Sequence, residues 1–186
     1  MPDTVILIRH AQSTFNAHYA ATGLDPGHID ARLSDLGLTQ VSEARERLAS
    51  TPVDLVVVSP LTRALQTAHG IFGDRAIPMH VTCLHRERLE SSCDVGRSPL
   101  HLATDFPQLA FDHLTDPWWH APEGHEGPFA QEPEDVFLDR VARFRAWVAE
   151  RPEPRVAVIG HGTFFRALTG RAFANAEDFV WDGWSL

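Results

Sequence analysis

Three uninterrupted aliphatic runs punctuate the chain: Val5-Ile6-Leu7-Ile8, Leu55-Val56-Val57-Val58 and Val156-Ala157-Val158-Ile159. Four consecutive apolar residues without polar alternation predict strands buried on both faces. Between these runs the apolar positions recur at helical spacing. The segment after Ser13 opens a helix, and Thr22 to Ala31 is a Gly/Asp/Pro-rich loop. Ser34 is an N-cap residue, followed by the stripe Leu36, Val41, Ala44 and Leu48 in a helix from Asp35 to Ser50. Pro60 stops the second run, and Leu61, Ala64, Leu65, Ala68 and Phe72 predict a helix from Leu61 to Phe72. A short strand is expected at Met79 to Cys83. Residues 87–133, rich in Pro, Gly, His and Trp and with little period, read as an inserted cap or long loop, with a short helix near Pro99 to Asp105. Val136, Phe137, Val141, Phe144 and Val148 mark a helix from Glu134 to Glu150, Thr163 to Arg171 another, and Asp178 to Trp184 a final edge strand.

Strands separated by helices predict an α/β three-layer sandwich, a mostly parallel central sheet with helices on both faces. The 186 residues fit a single domain, residues 1–186, with 87–133 as its insertion. At 44% hydrophobic and 22% charged, the composition is that of a folded globular chain. A net charge of -9 gives no general attraction to nucleic acid or to an anionic membrane, so neither is expected as a partner. An anionic substrate would need a local basic pocket. Two cysteines, Cys83 and Cys93, are too few for a disulfide framework, and Val5–Ile8 is too short for a signal sequence. A cytoplasmic location and a monomer or homodimer are expected.

The residues after each buried run carry the chemistry, because ligands of such sheets bind beyond the carboxyl ends of the strands. The first run ends in Arg9-His10-Ala11-Gln12-Ser13, the second in Ser59-Pro60-Leu61-Thr62-Arg63, the third in Gly160-His161-Gly162-Thr163. Two arginines and two histidines thus converge on one rim. Arginine forks suit phosphate oxygens, so Arg9 and Arg63 would hold a phosphoryl group. An imidazole between two guanidinium groups is kept neutral, and a neutral His10 can attack phosphorus. His161 would donate to the phosphoryl oxygens, and backbone N–H groups at the starts of the helices after His10 and His161 would extend the cradle. Gly160 and Gly162 point to close backbone approach by a ligand. Glu87, in Leu84-His85-Arg86-Glu87-Arg88, would protonate the leaving oxygen and then activate water; Glu90 in the same loop is the alternative, and a surface ion pair with Arg86 or Arg88 is the bland reading of Glu87.

Leu7-Ile8-Arg9-His10-Ala11-Gln12-Ser13 with Asn16 resembles the signature of the histidine phosphatase superfamily, the phosphoglycerate mutase-like proteins. Asp30-Ala31-Arg32-Leu33-Ser34 through Gly37 and Gln40, Ser59-Pro60-Leu61-Thr62-Arg63-Ala64 through Thr67-Ala68, and Ile159-Gly160-His161-Gly162 resemble its further blocks, in order and across nearly the whole chain. The resemblance implies a phosphoglycerate mutase-like fold, a phosphohistidine at His10, and a pocket completed by Arg9, Arg63 and His161. It also implies Glu87 as acid/base, Asn16 as a phosphoryl contact, and no metal or organic cofactor. Ala11 departs from the glycine of many members; its carbonyl, expected to accept the other N–H of His10, is retained provided φ is negative.

The expected substrate is a small phosphomonoester, hydrolysed through phosphohistidine. The alternatives are a phosphoglycerate mutase-type transfer, which the short chain disfavours, and a non-catalytic protein that binds a phosphorylated ligand. No Gly-x-Ser-x-Gly elbow or Walker-type loop occurs. Cys83, His85 and Cys93 lack zinc-ligand spacing, and His113, His120 and His125 read as solvated loop histidines. Trp118-Trp119 is read as cap packing in preference to a substrate wall. Arg86, Arg88 and Arg97 are either solvated charges or contacts for a second anionic group.

Overall fold

The computed structural model describes residues 1–182. Five strands form one sheet in the order β3-β2-β4-β1-β5, with β1 at Thr4–Arg9, β2 at Leu55–Val58, β3 at Met79–Val81, β4 at Arg155–Gly160 and β5 at Asp178–Trp181. β1, β2, β3 and β4 run parallel, and β5 joins antiparallel at the edge beside β1. The helices are α1 (Thr14–Thr22), α2 (Asp35–Arg47), α3 (Thr62–Phe72), α4 (Pro99–Asp105), α5 (Glu134–Ala149) and α6 (Gly162–Thr169). The part of the expected final strand beyond residue 182 lies outside the described residues.

The unbroken aliphatic runs are explained by two cores. Side chains alternate across a strand. Ile6, Ile8, Val56, Val58, Ala157 and Ile159 enter one core with Val41, Leu65 and Phe72 of α2 and α3. Val5, Leu7, Leu55, Val57, Val156 and Val158 enter the other with Phe144 and Val148 of α5 and Phe164 of α6. The molecule is therefore a mixed sheet between two helical layers.

Two expected stripes need correction by one residue each. Leu36 and Val136 are exposed, at 53% and 42%. In α2 the buried positions are Gly37, Val41 and Ala44, continued by Leu48; in α5 they are Phe137, Arg140, Val141, Phe144 and Val148. One residue turns the side chain by about 100°, which carries Leu36 and Val136 off the core face. Ser34 is the N-cap expected, its Oγ accepting from the Gly37 N–H at 3.1 Å.

Candidate active site

The three central parallel strands deliver their last residues to one level. Arg9 lies in register with Gly160, and Val58 with Ile159. The next residues continue the ladder: the His10 N–H donates to Gly160 O at 2.9 Å and the Ser59 N–H to Ile159 O at 3.2 Å. His10, Ser59 and His161 therefore leave the sheet together.

His10 is buried, and its Nδ1 lies 2.8 Å from the carbonyl of Ala11. A carbonyl accepts, so Nδ1 carries the hydrogen and Nε2 carries the lone pair. Arg63 Nε donates to Nε2 at 3.2 Å. Burial first, and then the charges of Arg63 and Arg9, push the His10 pKa well below the ordinary imidazole value, so the ring is neutral. Ala11 is buried, its φ is not positive, and its N–H donates to Thr67 Oγ1 at 3.1 Å. The alanine thus meets the condition set for it.

The loop bearing His10 is clamped by the start of α2. Gln12 N donates to Gln40 Oε1 at 2.8 Å, Ser34 N to Gln12 O at 3.0 Å, and Ser34 Oγ to Gln12 Oε1 at 2.7 Å. A Cβ on Gly37 would lie 2.1 Å from the Gln12 carbonyl oxygen, so only glycine permits this approach.

The two arginines are held differently. Arg63 is buried; beside its Nε bond to His10, Nη1 donates to Cys93 O at 2.6 Å and Nη2 to Asp94 Oδ1 at 2.9 Å. Arg9 donates through Nη1 to Phe173 O at 2.6 Å, and its buried Nε has no hydrogen-bond partner among the described residues. A Cβ on Gly162 would approach Arg9 Nε to 3.1 Å. Gly162 thus makes room for the guanidinium.

His161 is fully buried with its ring centroid 5.2 Å from that of His10. Its Nε2 meets Ser59 Oγ at 2.7 Å, and its Nδ1 has no hydrogen-bond partner among the described residues. Burial, with Arg63 the next cause, holds its pKa well below the usual value. Asn16 closes a capping box with Ser13: its Oδ1 accepts from the Ser13 N–H at 3.2 Å and from Asn175 Nδ2 at 3.4 Å. Asn16 also lines the cavity beside His10.

Glu87 does not make the surface ion pair of the bland reading. Arg86 pairs with Glu132 at 2.7 Å and Arg88 with Glu90 at 3.4 Å. The Glu87 carboxyl instead accepts from the N–H groups of Thr163 (3.0 Å) and Phe164 (2.9 Å), at the start of α6, and from that of Arg88 (3.1 Å). Burial, followed by the nearby Asp94 charge, raises its pKa from the ordinary carboxylate value. Here the expected backbone cradle is corrected. The N–H groups of Thr163 and Phe164 are committed to Glu87, those of Ala11, Gln12, Ser13 and Thr14 to Thr67, Gln40, Asn16 and Arg32. Helix starts must satisfy their own donors; side chains do so here, apart from the Thr14 N–H, which takes the Arg32 backbone carbonyl.

A cavity of about 180 Å³ opens among Arg9, His10, Asn16, Arg63, Glu87 and Asp94. A larger one, about 800 Å³, lies beside Asp30, Thr62 and Arg97 and touches none of the expected site residues. Asp94 and Ser59 were not identified from sequence. The spacing Ser91-x-x-Asp94, a capping pattern that the structure realises, was the available signal for the first.

Other expectations resolve here. Arg97 is spent internally, on Asp30 at 2.8 Å and Asp105 at 2.7 Å. Trp118 is buried against Gly96, donates to Arg97 O at 2.8 Å and meets Trp119 edge-on, which is packing. His113 is exposed, as expected of a loop histidine, although its Nε2 also lies 2.8 Å from Val81 O and its ring stacks on His80. Among the described residues, no group of three or more His, Cys, Asp or Glu gathers as metal ligands, and no helix is long and apolar enough to cross a membrane.

Fold and site together define a class: an α/β protein whose parallel sheet presents a neutral imidazole between two guanidinium groups. The chain belongs to the histidine phosphatase superfamily (branch 1), whose family model matches residues 5–183. A glucosyl-3-phosphoglycerate phosphatase of Mycolicibacterium vanbaalenii is 30% identical over 168 residues, covering 89% of this chain and 72% of its own. A phosphoglycerate mutase-like protein of Arabidopsis thaliana is 28% identical over 206 residues, with 89% and 73% covered. Among solved structures, the alpha-ribazole phosphatase of Shigella flexneri has the same fold, with a TM-score of 0.67 at 21% identity over 95% of this chain and 89% of that one.

Proposed function

We propose that the chain is a phosphatase that hydrolyses a small phosphomonoester through a phosphohistidine at His10. One observation carries the reading. The Nδ1–H bond to Ala11 O leaves the His10 Nε2 lone pair in a cavity between two guanidinium groups. Nε2 attacks phosphorus, and the bond from phosphorus to the ester oxygen breaks. Glu87, its proton retained by burial, protonates the departing oxygen. The resulting carboxylate takes a proton from water, the water oxygen attacks phosphorus, and the P–N bond breaks to release phosphate and neutral His10. Attack requires Arg63 Nε to exchange its bond to Nε2 for one to a phosphoryl oxygen. Arg9, Asn16 and the free Nδ1 of His161 are the further donors, and donors already oriented lower the barrier as charge builds. Residues 87–133 form the cap that sets specificity; in support, Glu87, Glu90, Ser91, Cys93 and Asp94 line the cavity.

The test is a screen of small phosphomonoesters, sugar phosphates and phosphoglycerates among them, with alkaline quenching to retain a labelled phosphoenzyme. Label on residue 10 and release of inorganic phosphate are expected, and His10→Ala should lose both by several orders of magnitude. Turnover without label on the protein, or isomerisation of a phosphoglycerate without phosphate release, would overturn the proposal. The reaction as written uses no metal ion, so a chelator should leave the rate unchanged.

A further inference from the structure

The steps just described leave one buried charge of the cavity without a part. Asp94 is 6% exposed. Its Oδ1 accepts from Arg63 Nη2 at 2.9 Å, while Oδ2 accepts from the N–H groups of Glu90 at 3.3 Å and Ser91 at 3.1 Å. The neighbouring Cys93 carbonyl accepts from Arg63 Nη1. A guanidinium has five N–H donors in a fixed plane. Three are placed by His10, Cys93 and Asp94, which leaves one on each Nη for a phosphoryl group. When Nε turns its donor from His10 to a phosphoryl oxygen, both Nη atoms stay bonded to residues 93 and 94, which therefore set the plane of the fork.

We propose that Asp94 is a positioning residue that holds the Arg63 fork against His10 so that both act on one phosphoryl group. This inference rests on the phosphohistidine reading. It also gives the two cavity carboxyls different tasks. Burial raises the pKa of each, but Asp94 is bonded directly to the Arg63 guanidinium, which favours its charged form, whereas Glu87 takes its hydrogen bonds from backbone N–H groups and has the Asp94 charge nearby. The groups facing Glu87 are Arg9 from β1, Arg63 from α3, the start of α6, and Asp94 with Cys93 on the cap. Of these, Asp94 is the charge that favours the protonated acid. It also offsets one unit of positive charge in the pocket, which limits how tightly phosphate is held.

The experiment compares Asp94→Asn and Asp94→Glu with the wild type, once the wild type has been shown to form the phosphoenzyme; failure of that first step sinks the phosphohistidine reading and not this inference. Asp94→Asn keeps the size and one acceptor but loses the charge. It should lower kcat about tenfold, the loss of one charge-assisted hydrogen bond. It should also make inorganic phosphate a stronger inhibitor, and move the alkaline limb of the rate for a poor leaving group to lower pH. Asp94→Glu restores the charge, so its alkaline limb and phosphate inhibition should match the wild type even where its kcat is reduced. Asp94→Asn with wild-type kcat, limb and phosphate inhibition would overturn the proposal. So would a folded Asp94→Glu whose limb and phosphate inhibition match those of Asp94→Asn.

Discussion

At the scale of single residues, geometry is set by what is absent as much as by what is present. Gly162 has no side chain because Arg9 Nε occupies the space 3.1 Å from where a Cβ would stand. Gly162→Ala should push the Arg9 guanidinium aside by a few tenths of an ångström and lower kcat/KM about tenfold, with little change in thermal stability; steady-state kinetics with a melting curve checks this. Gly37→Ala is the contrasting case. Its Cβ would collide with the Gln12 carbonyl at 2.1 Å, and backbone has no flexible end to move. That variant should lose about 3 kcal/mol of stability in denaturant titration. Glu87→Gln separates the acid role from the capping role. The amide oxygen still accepts from the α6 N–H groups, so the protein should fold, but turnover of alkyl phosphates should fall much further than that of activated aryl phosphates. If Glu90→Gln shows that pattern instead, the acid has been misassigned.

At the scale of elements, the strand ends bring Arg9, His10 and His161 to one level, and the segment from Glu87 to Asp94 lines the other side of the same cavity. The segment carrying Glu87 is irregular, yet it is anchored by a buried triad. Glu132 is fully buried between Arg86 and Arg140 at 2.7 and 2.6 Å. Arg140 also donates to the carbonyls of Leu84, Arg86 and Glu87. Arg140 lies on the inner face of α5, one turn from Phe137 and Phe144, so the helix both fills the core and holds the loop that carries Glu87. Removing one member of such a network strands a buried charge. Arg140→Met should cost about 3–5 kcal/mol in urea denaturation, and the surviving folded enzyme should be slowest on poor leaving groups, because the Glu87 backbone has lost its anchor.

At the scale of the whole molecule, the buried histidines make stability depend on pH. His85 is fully buried, donates to Ile159 O at 3.0 Å, and has its pKa pushed down to about 3 by desolvation. His10 and His161 are also held neutral well below the usual imidazole value. Between the folded and unfolded values the unfolded chain binds more protons, so stability is full above about pH 6.5 and falls as the solution is acidified. His85 alone should contribute a loss of about 2 kcal/mol between pH 7 and pH 5. Glu87 and Asp94, with raised values, act in the opposite direction between their ordinary carboxylate values and the raised ones. Urea titrations at the two pH values should show a steep loss for the wild type and a shallower one for His85→Gln. Equal slopes would contradict this account.

The fold was legible wherever side-chain period and burial coincide. The aliphatic runs marked β1, β2 and β4, and α4 fell at Pro99–Asp105 as expected. The stripes of α2 and α5 were in phase except for their first members, because an apolar side chain at a helix start, Leu36 or Val136, looks the same in sequence whether it faces core or water. In the site, the pocket arginines, His10 and Asn16 were legible from their place after strand ends and from the family signature. Asp94 was not, because the capping spacing Ser91-x-x-Asp94 marks a local turn and says nothing of Arg63, which only the packed chain brings to 2.9 Å. The Glu87 bonds to the start of α6 were not legible either, since its partners lie 76 and 77 positions further along the chain.

By itself, then, the order of residues determined the strands, most of the helices, and which histidines and arginines stand at the sheet's carboxyl edge. These are local matters of period, capping and chain order. Only the tertiary structure decided which hydrogen bonds the distant donors make: the Arg63 fork to His10, Cys93 and Asp94, and the first N–H groups of α6 to Glu87. Buried polar groups must find partners, and which partner lies within reach is a property of the packed chain.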